Sequence, residues 1–117
     1  MSLSAKLPAA PGTYVLLVWL DTPLALTPGR LGEVVLPAGV VAYVGSAHGP
    51  GGLRARLLRH LRRDKPAHWH VDALTAAAPV VEIWLRVSGK RLECGWARAL
   101  ASLPGAAEPA RGFGSSD

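Results

Sequence analysis

The chain has 117 residues, half of them apolar, and its 13 lysines and arginines outnumber its eight aspartates and glutamates, for a formal net charge of +5. This length suits one compact domain, and the composition excludes wholesale disorder. The longest apolar run, 14–20, has seven residues, whereas a membrane-spanning helix needs about 20. The single cysteine, Cys94, cannot form an internal disulfide and fits a reducing compartment. We therefore expect a cytoplasmic protein with no membrane partner.

Two long strands are predicted in the first half of the chain. Residues 1–11 have no periodic pattern and are predicted to be a flexible leader. The run TYVLLVWL at 13–20 is rich in Val, Leu and aromatic residues, which predicts a strand covered on both faces. The run VVAYVGS at 40–46 predicts a second strand. It should pair antiparallel with the first, since the connection has no helix pattern. That connection, 21–39, predicts an extra hairpin with a short strand at 34–36.

A basic amphipathic helix is predicted after the second strand, over 53–63. Its apolar stripe consists of Leu53, Leu57, Leu58 and Leu61. Arg56, His60 and Arg63 have the spacing i, i+4, i+7 and form a second stripe along the flank. Six of the 13 basic residues lie in this region, opposed there only by Asp64: Arg54, Arg56, Arg59, Arg62, Arg63 and Lys65. Such clustering is typical of a polyanion-binding face, although a solvated helix has the same pattern.

The second half of the chain predicts two more helices and one more strand. A short helix should end by Pro79, and the run VVEIWLRV predicts a strand over 80–87 with Val81, Ile83, Leu85 and Val87 on one face. A last helix is predicted over 91–103. Its expected buried face is Leu92, Trp96, Ala99, Leu100 and Leu103. The predicted fold class is therefore α+β, a small and mainly antiparallel sheet flanked by helices, in one domain over 12–117.

Several short motifs occur in a fixed order. They are GTY at 12–14, YVGSA at 43–47, Arg56 four residues before His60, HWH at 68–70, Glu93-Cys94, and GFGSSD at 112–117. In this order the chain resembles the GIY-YIG nuclease superfamily, in particular a branch of small stand-alone proteins. The resemblance extends from Gly12 to Asp117.

The resemblance implies a metal-dependent endonuclease that uses water as the nucleophile. It implies catalytic roles for Tyr14, Tyr43, Arg56 and His60, and it implies that Glu93 binds one Mg²⁺ or Mn²⁺ ion. DNA or a related nucleic acid would lie along the basic helix at 53–65. The residues expected to contact it are Arg54, Arg59, Arg62, Arg63, Lys65, His68 and His70.

Phosphodiester cleavage suits these residue types. Arg56 can present a fork to two phosphate oxygens with a charge that does not titrate. Glu93 offers a hard oxygen ligand of the kind that magnesium prefers. A tyrosine, with a pKa of about 10, acts as a base only where nearby cations lower that value. The basic stripe could supply those cations.

Each of these residues also has a plainer interpretation. Tyr14 and Tyr43 lie in predicted strands, where aromatic residues are common. Arg56 alone is typical of a helix surface, and Glu93 in a first helical turn is favoured by the helix dipole. His68 and His70 with the distant Cys94 give a weak zinc pattern.

The chain departs from the resembled family in three respects. Thr13 and Val44 occupy the middle positions of the two motifs, and both are β-branched, so strand geometry should survive. The segment 21–39 is longer than in the smallest members. Members of the branch usually continue past the GFG-S-D motif into a cysteine- and histidine-containing end, whereas the sequence ends at Asp117.

The sequence therefore predicts a DNA endonuclease, with repair or recombination as its expected setting. One alternative is a non-catalytic nucleic-acid-binding module on the same fold, which needs the arginines but neither Glu93 nor the tyrosine hydroxyls. Another is a protein-interaction domain whose basic helix meets an acidic partner.

Overall fold

The structure, a computed structural model, describes residues 7–26, 33–62 and 70–106. These residues form a three-stranded antiparallel sheet, a two-stranded antiparallel sheet and three helices. In chain order the elements are β1 (Gly12–Leu20), β2 (Leu24–Leu26), β3 (Val34–Leu36), β4 (Gly39–Ala47), α1 (Gly52–Leu61), α2 (His70–Ala77), β5 (Val80–Val87) and α3 (Glu93–Ala101). The predicted α+β class is confirmed.

Strand β1 is the centre of the larger sheet, whose order is β4-β1-β5. Its residues alternate between two faces, and Tyr14, Leu16 and Val18 join the main core with apolar residues of α1 and α2. Val15 on the opposite face is also buried, as predicted for a strand covered on both sides. On the same face as Val15, Trp19 is not covered and is 46% exposed. At that position the prediction of two covered faces is wrong.

The predicted hairpin between the long strands is present as β2 and β3, which pair antiparallel from Leu24 with Leu36 to Leu26 with Val34. Leu26, Val34 and Leu36 are buried in the main core. The hairpin therefore adds a small second sheet to the same core. Residues 27–32, which connect its strands, lie outside the described residues.

The segment 7–11, predicted as part of a flexible leader, is instead packed against α1. The backbone N–H of Leu53 donates to the carbonyl of Ala10 at 2.9 Å, and that of Arg54 donates to the carbonyl of Pro8 at 2.9 Å. Leu7 is buried in the core. The segment therefore supplies hydrogen-bond acceptors to the first turn of α1, which would otherwise lack them. Residues 1–6 lie outside the described part of the chain.

Helix α3 covers less than its sequence pattern predicts. It extends over Glu93–Ala101, within the predicted 91–103, and none of its residues is fully buried. Leu92, Trp96 and Leu100 are half-buried, whereas Ala99 and Leu103 are exposed, so the predicted buried face is wrong at these two positions. Among the described elements, α3 packs mainly against β4, and this packing leaves part of its apolar side exposed.

Strand β5 differs from its prediction in the same way. Of the apolar face predicted for it, Ile83 is half-buried, while Val81, Leu85 and Val87 are exposed. In the described part of the chain, β5 pairs only with β1 and forms one edge of the sheet. No helix among the described residues is both long and apolar enough to span a membrane.

Candidate functional site

A buried hydrogen bond joins the first motif tyrosine to the histidine of α1. Tyr14 Oη and His60 Nε2 lie 2.7 Å apart, and their ring centroids are separated by 5.4 Å. Each residue is only 1% exposed. His60 was predicted on the flank of α1 with Arg56, but it points inward because this phenol gives its ring nitrogen a polar partner within the core.

Gly45 makes room for this arrangement. It lies opposite Tyr14 in the pairing of β1 with β4, and a Cβ atom at Gly45 would overlap the Tyr14 hydroxyl. The phenol therefore crosses β4 directly above a residue that has no side chain. This close approach gives a physical reason for glycine in the YVGSA motif, which sequence reasoning had matched only as a pattern.

The second motif tyrosine contacts the same histidine. Tyr43 precedes Gly45 by two residues and lies on the same face of β4. Its ring meets that of His60 edge to face, with the centroids 6.3 Å apart and the planes at 68°. Tyr43 is half-buried, whereas Tyr14 is almost fully enclosed. Of the two phenols, Tyr43 is thus the one within reach of solvent and of a ligand.

Arg56 and Glu93 meet at Ser46, next to Gly45 in the chain. The Arg56 Nη1 donates to the Ser46 carbonyl oxygen at 3.2 Å. The Ser46 hydroxyl donates to Glu93 Oε1 at 3.3 Å. Ser46 thus connects α1 to the first turn of α3. Sequence reasoning did not single out this serine, although its place in YVGSA was a signal.

The two groups lie on either side of an edge strand. Ser46 is three residues from Tyr43, so its side chain leaves the opposite face of β4. Because β4 forms an edge of the sheet among the described strands, Arg56 reaches the Ser46 carbonyl from the α1 side. Glu93 reaches the hydroxyl of the same residue from the α3 side. The candidate site therefore extends around the end of β4 instead of filling one hollow on the tyrosine face.

An open cavity of about 240 Å³ adjoins this end of β4. It is lined by Arg56 and Arg59 and by residues of the loop that leads into α1, including Gly49 and Gly52. Two cationic side chains at one cavity favour an anionic ligand. The N-terminal backbone donors of α1 do not contribute to it in the way that an uncapped helix end would, because Leu53 and Arg54 donate to residues 8–10.

Two arginines of α1, Arg54 and Arg59, form contacts within the fold and are not simply displayed on a basic surface. The Arg54 Nε donates to the Leu7 carbonyl at 2.8 Å. The Arg59 Nη1 forms an ion pair of 2.7 Å with Asp72, whose side chain is 1% exposed. Arg62 is exposed at the end of α1. Sequence reasoning missed Asp72, for which an acidic residue in the first turn of α2 was the only signal.

Some of the residues predicted to contact nucleic acid fall outside the part of the chain that the structure describes. Arg63, Lys65 and His68 lie outside the described residues, as do the side chain of His70 and the motif at 112–117. Their predicted roles remain predictions.

The donor set suits one hard divalent cation. Mg²⁺ is bound in proteins through one or two carboxylates and keeps waters or phosphate oxygens as its other ligands, so Glu93 alone can supply the protein's share. Within the described ranges, no three His, Cys, Asp or Glu residues cluster as a metal site. Cys94, which the weak zinc pattern used, is exposed on α3. The two histidines of that pattern, His68 and His70, have side chains outside the described residues.

A family model described as a domain of unknown function, DUF123, matches residues 13–117. The chain belongs to the DUF123 family. No curated protein and no solved structure gave a significant match. The DUF123 match includes both tyrosines, Ser46, the arginines and histidine of α1, and Glu93, so the whole candidate site lies within the family's domain.

Proposed function

We propose that this DUF123 domain is a metal-dependent endonuclease-type hydrolase that cleaves phosphodiester bonds in DNA or a related nucleic acid. The observation that carries the proposal is the meeting of Arg56 and Glu93 on Ser46, one residue from the glycine beneath the Tyr14–His60 pair. A carboxylate that can bind a cation and a guanidinium are groups that stabilise the charge of phosphodiester hydrolysis, and a phenol can contact the attacking water. Here the carboxylate and the guanidinium meet at Ser46, and the phenols lie on the other face of the same strand end.

In this proposal Tyr43 contacts the attacking water. Its ring is half-buried, so its hydroxyl can face a substrate. His60 and Tyr14 are enclosed and joined to each other at 2.7 Å, and they hold the Tyr43 ring through its edge contact with the histidine. Tyr14 and His60 then act as positioning residues, which refines the equal roles that the motif resemblance implies.

Arg56 binds the phosphate in this proposal. It lines the cavity at the end of β4, and a guanidinium there neutralises the charge that builds on the phosphoryl oxygens during attack. Glu93 and oxygens of the substrate would hold the divalent ion, which when bound stabilises the departing oxygen. Ser46 fixes both side chains at once, because its carbonyl accepts from the arginine and its hydroxyl donates to the glutamate.

Cleavage of defined DNA by the purified chain tests the proposal. Linear, nicked, flapped and branched duplexes are incubated with and without Mg²⁺ or Mn²⁺, the structured substrates being those that arise in repair and recombination. We expect cutting only with the metal. Arg56→Lys should reduce the rate about 100-fold, as for the loss of an oxyanion-stabilising donor. Arg98→Lys, an exposed arginine of α3, is the matched control and should have no effect.

Separate measurements of binding and cleavage distinguish the proposal from a non-catalytic nucleic-acid-binding module. Tyr43→Phe and Glu93→Gln should bind metal-free DNA as tightly as the unmodified chain and cut it far more slowly. A chain that binds every substrate and cuts none would support the binding module. Cutting that survives both substitutions would place the chemistry elsewhere in the molecule.

A further inference from the structure

The outer edge of β5 is long, apolar and exposed. Among the described strands, β5 pairs only with β1. Four of its eight residues are large apolar side chains with exposures between 36% and 58%: Val81, Trp84, Leu85 and Val87. Edge strands are usually protected by proline, by short length, by a β-bulge or by several charges. The register shift of β5 against β1 lies at its N-terminal end, before Glu82, and leaves the rest of the strand regular. The sequence VVEIWLRV has no proline and only two charges, Glu82 and Arg86.

One hydrogen bond shows which backbone groups of β5 point toward β1 and which point out of the sheet. The N–H of Ser88 donates to the carbonyl of Pro11, which immediately precedes β1. Backbone groups alternate along a strand, so the even-numbered residues of the regular stretch from 82 to 88 point toward β1. The N–H and C=O groups of Ile83, Leu85 and Val87 therefore point away from the sheet, at the spacing that another strand needs.

We propose that β5 pairs with β5 of a second copy of this chain, antiparallel and about a two-fold axis at Trp84. In that register the residues of the regular stretch face suitable partners: Trp84 faces Trp84, Ile83 faces Leu85, and Glu82 faces Arg86. The symmetry forms the Glu82–Arg86 pair twice. The two three-stranded sheets then make one continuous six-stranded sheet.

Charge selects this register over its neighbours. In an antiparallel ladder, residues whose backbone groups point out of the sheet must face residues of the same kind on the other strand. Odd-numbered residues therefore face odd-numbered residues, and the two-fold axis passes through a residue and not between two residues. An axis at Ile83 puts Glu82 opposite Trp84, and an axis at Leu85 puts Arg86 opposite Trp84. Only the axis at Trp84 places the two charges of the strand opposite each other.

A groove on the helix side of β5 supports the same partner. It has a volume of about 400 Å³ and is lined by Leu7, Leu61 and β5 residues that include Val81, Ile83 and Leu85. In the proposed register, the apolar side chains at positions 85 and 87 of the second copy lie on this face, beside the groove. Pairing would thus cover apolar surface on both faces of the strand.

Charge reversal tests the pairing by sedimentation equilibrium of the full chain. We expect Glu82→Arg and Arg86→Glu each to weaken dimerisation at least about tenfold, since attraction becomes repulsion at two symmetry-related pairs. The double variant should restore it. Within one chain the two residues are about 13 Å apart along the strand, too far for the swap to restore an internal ion pair. A monomeric unmodified chain, or a double variant weaker than both single ones, overturns the proposal.

Cysteine cross-linking tests the axis independently. In a Cys94→Ser background, Trp84→Cys places two thiols opposite each other at the axis, where mild oxidation should give a covalent dimer. Glu82→Cys is the matched control, because its copies would lie about 13 Å apart and should stay uncoupled. Circular dichroism checks that each variant is folded. Equal coupling at both positions, or coupling at position 82 alone, contradicts the register.

Discussion

The two strands that flank β1 differ in what surrounds them. Strand β4 is packed by α1 on one side and α3 on the other, and its end carries Gly45, Ser46 and the contacts to Arg56 and Glu93. Strand β5 has four exposed large apolar side chains and two charges. Both pair antiparallel with the same strand. Pairing with β1 is therefore the same for both strands, and their surroundings differ: helices bring polar groups to the end of β4, whereas no described strand covers the outer edge of β5, which we propose pairs with another chain.

A Glu→Gln substitution beside β4 and the same substitution on β5 should have the most different effects on cleavage. Glu93→Gln removes the charged ligand of the proposed metal and should slow cleavage about a thousandfold, since a bound cation supplies several kcal/mol of transition-state stabilisation. Glu82→Gln should leave the cleavage rate unchanged, because Glu82 lies on the exposed edge. Single-turnover rates at saturating metal measure both. Equal losses for the two variants would erase the distinction between the flanks.

The ion pair behind the β4 site should give the next largest effect. Arg59→Ala leaves the enclosed Asp72 carboxylate without its arginine and should cost about 3 kcal/mol of unfolding free energy. Asp72→Asn should cost less, because the Arg59 side chain is 24% exposed and can turn into solvent. Urea denaturation of both variants measures this asymmetry. The opposite order would mean that the carboxylate does not depend on Arg59.

Two glycines, one on each flank, test how tightly the site is packed. Gly45→Ala forces a methyl group into the Tyr14 hydroxyl and should cost about 1–3 kcal/mol. Gly89, in the turn after β5, has open space around the position of a Cβ. Gly89→Ala should therefore change stability by less than about 0.5 kcal/mol. Thermal unfolding of both variants gives the comparison, and a harmless Gly45→Ala would show that Tyr14 does not cross β4 as described.

The smallest effect is expected on the exposed edge itself. Val81 is 58% exposed, and at protein concentrations too low for association Val81→Thr should change the unfolding free energy by less than about 0.5 kcal/mol. Val18→Thr makes the same change in a fully buried position of β1 and should cost about 1–3 kcal/mol. Should the two variants lose equal stability, β5 would be covered in solution even in the monomer.

The sequence predicts the strands well because each is a local pattern. The apolar runs at 13–20, 40–46 and 80–87 correspond to β1, β4 and β5 within one residue at every end. The hairpin at 21–39 is confirmed because turn-forming residues flank its short strands. The docking of residues 7–11 on α1 was missed because it depends on backbone groups, which leave no residue pattern. The exposed side of α3 was missed because periodicity shows which face is apolar, not whether a neighbour exists to cover it.

The contacts within the candidate site were predicted in part, and the roles of its residues stay predictions. The motif resemblance brings Tyr14, Tyr43 and His60 together, and the structure gives the distances between them. The motif resemblance does not reveal that Ser46 joins Arg56 to Glu93, since the contact with Arg56 uses a backbone carbonyl. It also does not reveal that Arg59 is paired with Asp72, which is 13 residues away in the chain and on another helix. These contacts arise only when α1, α2 and α3 are packed together.

A crystal soaked in Mn²⁺ with a short DNA duplex tests the central claim most directly, because anomalous scattering locates the ion without assumptions about the reaction. The account predicts one manganese peak bound by Glu93, with a phosphate between it and Arg56 and with the Tyr43 hydroxyl facing that phosphate. A manganese peak far from Glu93, or DNA bound with no ion at Glu93 under saturating Mn²⁺, would contradict it.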